Sequence, residues 1–174
     1  MASSFGEQVE SVTVRACGPG EPSIGRECVA PDDWVSVEKI INAPADHIYA
    51  AWTEPELMAE WMGAKVEADV RIGGHYRIEA PGSEGQLFIH QGEYVALEEG
   101  ERIVQTFRSG GDEALPEGIP FTDEFLEITL MPLGPAQTLV RLLDGWKGEA
   151  MDDDAKEAVK QAWLGWLNQL EQLF

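Results

Sequence analysis

The chain has 174 residues, 44% of them hydrophobic, which suits one globular domain with a buried core. Its 32 acidic and 12 basic residues give a formal net charge of -20. A surface this acidic repels phosphate backbones and anionic lipid headgroups, so we expect no nucleic-acid partner and no membrane partner.

The beginning of the chain predicts an appendage to the main domain. Residues 1–34 hold one alternating stretch, 12–16, which permits a short edge strand, and a turn-rich connector. We therefore interpret 1–34 as an N-terminal extension and 35–174 as the main domain. The start resembles no signal peptide, so we expect a cytoplasmic protein, and in that reducing compartment Cys17 and Cys28 should be free thiols.

The first half of the main domain predicts one strand, two short helices and a meander. Residues 35–41 are largely β-branched and predict the strand. Pro44 begins a helix, and Thr53 is a plausible N-cap for a second helix over 54–62. Strands follow at 66–72, 75–80, 86–97 and 102–108, with Gly73-Gly74 as a two-residue hairpin turn and Gly92 as a bend or bulge.

The second half predicts a lid, a strand pair and one long helix. The acidic loop 109–123 carries apolar residues and is predicted to pack as a lid. Strands at 125–131 and 138–143 follow, joined by a loop. Apolar residues then recur at three- and four-residue steps over 152–174, behind three consecutive aspartates that can cap a helix.

This order predicts an α+β fold, because the apolar stripe of the last helix needs a long surface to cover. We expect a curved antiparallel sheet wrapped around the C-terminal helix, with two short helices after the first strand. The aromatic and methionine side chains can then line a cavity or simply fill the core. The set is Trp52, Trp61, Met62, Tyr76, Phe88, Tyr94, Phe107, Phe125, Met131, Trp163 and Trp166.

Several local motifs resemble the START/Bet v-like (SRPBCC) superfamily. The resemblance covers roughly 35–174 and is strongest to the branch named after the C-terminal domain of the activator of heat-shock protein 90 ATPase. Its motifs include Asn42-Ala43-Pro44-Ala45-Asp46, Ile72-Gly73-Gly74-His75-Tyr76, Gln91-Gly92-Glu93-Tyr94 and Gly165-Trp166. The chain has Asp144 where many bacterial relatives carry a histidine.

The resemblance implies a helix-grip fold with an apolar cavity between the sheet and the last helix. Relatives in the wider superfamily hold lipids, polyketides or flavonoids there, some are cyclases or hydrolases, and the eponymous domain binds a chaperone. Our first hypothesis is a small hydrophobic molecule as ligand, and monomer and homodimer both stay open. The expected contacts are Trp61, Tyr76, His90, Tyr94, Phe107, Phe125, Trp163 and Trp166.

Polar candidates leave the chemistry open. As an alternative to binding alone, a cofactor-independent cyclase or hydrolase would use His90 with Glu127 or Asp144 for proton transfer. Glu127 and Arg141 either form an internal ion pair or project to solvent.

The histidines and cysteines have no metal-ligand spacing, and no phosphate loop or dinucleotide fingerprint is present, so we expect neither metal nor cofactor. A chaperone-binding module is the third hypothesis.

Overall fold

The computed structural model describes residues 31–82, 84–110 and 124–174, with backbone only at 108–110. The predicted edge strand within 12–16, both cysteines and most of the predicted lid lie outside these residues. The extension over 1–34 therefore remains a prediction, although the first strand already begins at Asp33.

Three helices and eight strands occupy the described residues. In chain order they are β1 Asp33–Ile41, α1 Ala45–Thr53, α2 Pro55–Met62, β2 Lys65–Ala68, β3 His75–Pro81, β4 Leu87–Glu98, β5 Arg102–Thr106, β6 Arg108–Gly110, β7 Glu124–Gly134, β8 Gln137–Trp146 and α3 Asp153–Glu171.

The strands form one antiparallel sheet in the order β1-β8-β7-β5-β4-β3-β2, and the short β6 pairs with β4. The three helices share one hydrophobic core with one face of this curved sheet, which we name the inner face. The opposite face is the outer face. The predicted α+β helix-grip fold, with two short helices after the first strand, is confirmed.

The C-terminal helix begins as its aspartates predicted. The side chain of Asp152 accepts a 2.8 Å hydrogen bond from the backbone N–H of Ala155, which satisfies one of the free donors of the first turn. Trp163, Leu167 and Leu170 form the buried stripe of α3. Their spacing of four and three residues keeps them on one side of the helix.

An acidic residue at the start of β1 ties α3 to the sheet. Asp33 accepts hydrogen bonds from the ammonium of Lys156 and from the backbone N–H of Met151, at 3.0 Å. The Lys156 bond holds the pKa of Asp33 below its usual value, although partial desolvation opposes it. This contact fixes the first turn of α3 beside the first strand.

The predicted two-residue hairpin at Gly73-Gly74 is wrong. β2 ends at Ala68, and the chain needs the six residues 69–74 to reach β3. Gly73 does take a positive φ of 79°, but Gly74 is required for a different reason. A Cβ on Gly74 would lie 1.9 Å from the carbonyl oxygen of Asp69, so only glycine fits there.

The last two strands form a longer hairpin than predicted. β7 and β8 pair from Glu124↔Trp146 to Gly134↔Gln137, so the predicted loop is mostly strand. Asp144, expected in a connection to the last helix, therefore lies inside β8. Its alternation with Leu142 assigns it to the buried inner face.

Two smaller expectations also change. Glu54, and not Thr53, precedes α2, and no side chain caps this helix. The Thr53 hydroxyl instead donates to the carbonyl of Tyr49, four residues earlier.

At Gly92, β4 approaches β5 so closely that a Cβ would lie 2.0 Å from the carbonyl oxygen of Thr106, and the register shifts just afterwards.

Candidate functional site

The inner face carries an unusual row of polar residues. Strand pairing aligns Asp144 with Leu126, Leu126 with Gln105, and Gln105 with Tyr94. All four side chains are buried. Since directly opposite side chains on a sheet lie about 5 Å apart, three polar groups reach into a core that is otherwise apolar.

A small cavity lies beside this row, between the sheet and the helices. Its free volume is about 10 Å³, which approaches the space of one water molecule. Most of the surrounding side chains are aromatic or apolar. They are Trp52, Met58, Met62, Tyr76, Ile78, His90, Gln105, Phe107, Leu126, Trp163 and Trp166.

The aromatic rings around the cavity form a continuous chain of contacts. His90 stacks on Phe107 with ring centroids 5.4 Å apart and meets the edge of Trp166 at 5.3 Å. Trp163 contacts both Phe107 and Trp166. Trp61 extends the chain from Trp166. Such edge-to-face and tilted pairs are favoured arrangements for aromatic side chains.

Within the described part of the chain, four buried polar atoms near the cavity have no hydrogen-bond partner. They are Trp52 Nε1, His90 Nδ1, Tyr94 Oη and Asp144 Oδ1. Neighbouring groups are satisfied, because the Trp163 indole donates to Asp144 Oδ2 at 2.9 Å and the Tyr76 hydroxyl donates to the carbonyl of Thr106 at 2.8 Å. Leaving a buried donor or acceptor unpaired costs about 1–3 kcal/mol, so this cluster opposes stability.

Burial also favours the neutral forms of the titratable groups. It raises the pKa of Asp144 to about 6, although hydrogen bonds with Trp163 and Glu124 act in the opposite direction. Asp144 Oδ1 stays unpaired while both carboxyls are charged, and it can bond to Glu124 only when one of the two carboxyls is protonated. Burial lowers the pKa of His90 and raises that of Tyr94 to about 12.

The structure brings most of the predicted ligand contacts together. Tyr76, His90, Phe107, Trp163 and Trp166 line the cavity. Two further predicted contacts lie on the inner side of the sheet but pack behind the lining residues. They are Trp61, which contacts Trp52 and Trp166, and Tyr94, whose ring lies 5.5 Å from Tyr76.

Phe125 does not line the cavity. Leu126 takes the inner position on β7, so the alternation of the strand places Phe125 on the outer face. Its ring packs over Gly145, where a Cβ would lie only 2.8 Å away. A shift of one residue along a strand thus removes a predicted contact from the site.

Glu127 and Arg141 also lie on the outer face, and they do not pair with each other. Glu127 accepts a hydrogen bond from Arg102 at 3.1 Å, and Arg141 donates to Glu38 at 2.7 Å. Of the two alternatives, the internal ion pair is therefore not formed, and the outward position applies to both residues. The sheet also separates Glu127 from His90, so this pair cannot transfer a proton within the cavity.

The other predicted proton-transfer pair is not formed either. His90 lies on β4 and Asp144 on β8, with β5 and β7 between them. Three inter-strand steps amount to about 14 Å along the sheet. The contacts that connect the two residues pass through Phe107 and Trp163.

Sequence reasoning missed four lining residues, and Trp52 and Met62 entered only the wider aromatic and methionine set. Met58 lies four residues before Met62, which helical spacing could have shown. Gln105 alternates with Phe107 on the same strand. Ile78 and Leu126 required knowledge of which strand face is inner, and no pattern in the sequence decides that.

An open groove lies next to the cavity, between the C-terminal ends of α2 and α3. It has a volume of about 330 Å³ and is mostly polar. Met62 lines both the groove and the cavity. Met62 therefore forms part of the boundary of both spaces.

The described residues contain no group of three or more His, Cys, Asp or Glu side chains that could hold a metal. In the same part of the chain, no helix has the length and apolar character needed to cross a bilayer. The site is thus a small aromatic cavity between the sheet and the helices of a helix-grip domain.

Comparison with known proteins agrees with this class. A family model described as "Activator of Hsp90 ATPase homolog 1-like protein" matches residues 42–174. The chain belongs to this family, which confirms the predicted branch of the START/Bet v-like superfamily.

Individual relatives are distant. The crystal structure of protein CV1439 from Chromobacterium violaceum has a TM-score of 0.64 and 27% identity, covering 81% of this chain and 96% of that one. DynU16, a protein from the dynemicin biosynthetic locus, has a TM-score of 0.59 and 25% identity, covering 82% and 47%. An uncharacterized Schizosaccharomyces pombe protein, C1711.08, is 29% identical over 99 residues, or 57% of this chain and 27% of the relative, so the chain spans about a quarter of its length.

Proposed function

We propose that the protein binds a small aromatic or apolar molecule between the inner face of the sheet and α3. The observation that carries the proposal is the aromatic cavity with unpaired polar atoms, two of which, Trp52 Nε1 and His90 Nδ1, belong to lining residues. Ligand pockets typically combine apolar and aromatic walls with a few convergent polar groups. A ligand that pairs with these atoms would offset the cost of burying them.

The cavity must open to admit such a ligand, since its free volume is about 10 Å³. Two of its walls are methionines of α2, whose unbranched side chains adapt to new shapes. Met62 also faces the open groove, so a change of its rotamer would connect the two spaces. We place the entrance there, and the variant Met62→Ala should accelerate ligand association in stopped-flow fluorescence.

A thermal-shift screen against flavonoids, aromatic polyketides, sterols and fatty acids tests the binding function. A ligand at about 100 times its dissociation constant should add about 2.7 kcal/mol of stability. A hit should weaken in Trp163→Ala, which removes one wall of the cavity, and persist in Ile40→Ala, on the exposed outer side of β1. A flat screen, or a hit that Trp163→Ala does not affect, contradicts the proposal.

A chaperone-binding module is the second candidate, and a different observation favours it. The small free volume describes an interior that is already well packed, as expected for a domain that uses its surface. The outer side of β1 exposes Trp34 and Ile40 by 48% and 49%. Capture of a heat-shock protein 90 chaperone by the purified protein would support this function if the capture is lost in Trp34→Ala. A positive ligand screen together with no capture of the chaperone would exclude it.

A further inference from the structure

The cavity walls differ from those of a fatty-acid or carboxylate site, because no described side chain that lines the cavity is a lysine or arginine. The only titratable cation among them is His90, which burial keeps neutral. A ligand carboxylate would therefore find no cationic partner among the described lining residues.

Among the described residues, the charged groups that adjoin the lining residue Trp163 are negative. Asp144 is only 4% exposed and bonds to the lining residue Trp163, and Glu124 stands beside it. The formal net charge of -20 adds a long-range repulsion of anions. Burying an unpaired charge costs several kcal/mol, so both the near and the distant charges select against anionic ligands.

The unpaired donor in the wall indicates what the ligand must carry. Trp52 is 3% exposed, lines the cavity, and its indole Nε1–H has no acceptor in the described residues. An indole N–H only donates hydrogen bonds. The neighbouring indole of Trp61 differs, because it donates to the carbonyl of Ala51 at 2.7 Å.

We propose that the cavity selects an uncharged aromatic molecule whose carbonyl, or similar acceptor, faces the indole N–H of Trp52, and that it rejects carboxylates, including fatty acids. This inference rests on the proposed binding function and narrows its ligand class. It assigns Trp52 as the residue that determines specificity.

Three probes share one ring system and differ in their substituent: naphthalene, 2-acetylnaphthalene and 2-naphthoate. Comparing their affinities separates the effect of a carbonyl acceptor from the effect of a negative charge. Binding is followed by quenching of the tryptophan fluorescence and by thermal shift at pH 7.5. We expect 2-acetylnaphthalene to bind about 5- to 10-fold more tightly than naphthalene, the effect of one neutral hydrogen bond. We expect 2-naphthoate to bind on the order of 100-fold more weakly than 2-acetylnaphthalene.

The variant Trp52→Phe keeps an aromatic ring but removes the donor. It should bind naphthalene and 2-acetylnaphthalene equally, whereas Trp34→Phe, on the exposed outer side of β1, should keep the wild-type preference. A preference that persists in Trp52→Phe overturns the role of Trp52. Tight binding of 2-naphthoate by the wild type overturns the selection against anions, and this comparison needs no variant. If neither neutral probe binds, the proposed function fails and this inference fails with it.

Discussion

The two faces of the sheet place their polar residues under opposite conditions. On the outer face, Glu127 pairs with Arg102 and Glu38 with Arg141, each partly open to solvent. On the inner face, His90 and Tyr94 each keep a buried polar atom that has no partner among the described residues. The outer pairs need no further explanation, because charged groups at a surface are solvated.

The inner face does need an explanation, since unpaired buried atoms reduce stability. A fold selected for stability alone would replace them with apolar side chains of similar size. Their position around one aromatic cavity is what supports a binding role, and the absence of a cation among the described lining residues restricts the ligand's charge. The comparison of faces thus separates residues that serve solubility from residues that serve the site.

The largest effect should come from truncating matched leucines on the two faces of β8. Leu142 is fully buried on the inner face, whereas Leu139 is half-buried on the outer face. Leu142→Ala should lower the free energy of unfolding by about 2–5 kcal/mol, the cost of a cavity in a packed core. Leu139→Ala should lower the free energy of unfolding clearly less, as measured by urea unfolding. Equal losses in the two variants would contradict the assignment of the two faces.

Asp144→Asn should change how stability depends on pH. The folded-state pKa of Asp144 lies near 6 and its ordinary value is 3.8, so between these values the folded protein holds a proton that the unfolded chain has lost. Stability should therefore fall as pH rises through this window, by on the order of 2–3 kcal/mol. Asparagine still accepts from Trp163 but has no charge, and chemical unfolding at pH 4 to 8 should show a smaller decline. If the stability of Asp144→Asn declined with pH as steeply as that of the wild type, the assignment of a buried, titrating Asp144 would be refuted.

His90→Gln should remove a pH effect of the opposite sign. Burial lowers the pKa of His90 from its ordinary value of 6.5, so below that value the unfolded chain binds a proton that the folded protein lacks. Wild-type stability should thus gain a contribution as pH rises through this range, and the variant should lose it. His47→Gln, on the exposed side of α1, is the control. The imidazole resonances of His90 should titrate below pH 6.5 in NMR spectra.

The smallest effect should come from the outer face. Glu38→Gln breaks the ion pair with Arg141, in which both side chains are partly exposed. Exposed ion pairs contribute about 0.2–1 kcal/mol, so the midpoint of urea unfolding should move only slightly. A loss comparable to that of Leu142→Ala would mean that the outer face is buried more deeply than its exposure indicates.

Much of the fold was predictable because its signals are local. The three-and-four spacing of Trp163, Leu167 and Leu170 predicted α3, and Asp152 marked its first turn. Alternation predicted the strands, but it left β2 too long, because it does not show where a strand stops pairing. Five of the eight expected contacts line the cavity, since burying a large aromatic side chain against the helices is favourable.

By itself the sequence determined the order of elements, the stripe of α3 and the acidic surface, because each depends on neighbouring residues or on composition. Only the tertiary structure decided which strand face is inner, and this choice placed Asp144 inside and Phe125 outside. Both faces of β7 and β8 carry apolar residues, so their alternation is symmetric. The packing of α3 on one face breaks that symmetry, and contacts between residues distant in the chain create the site.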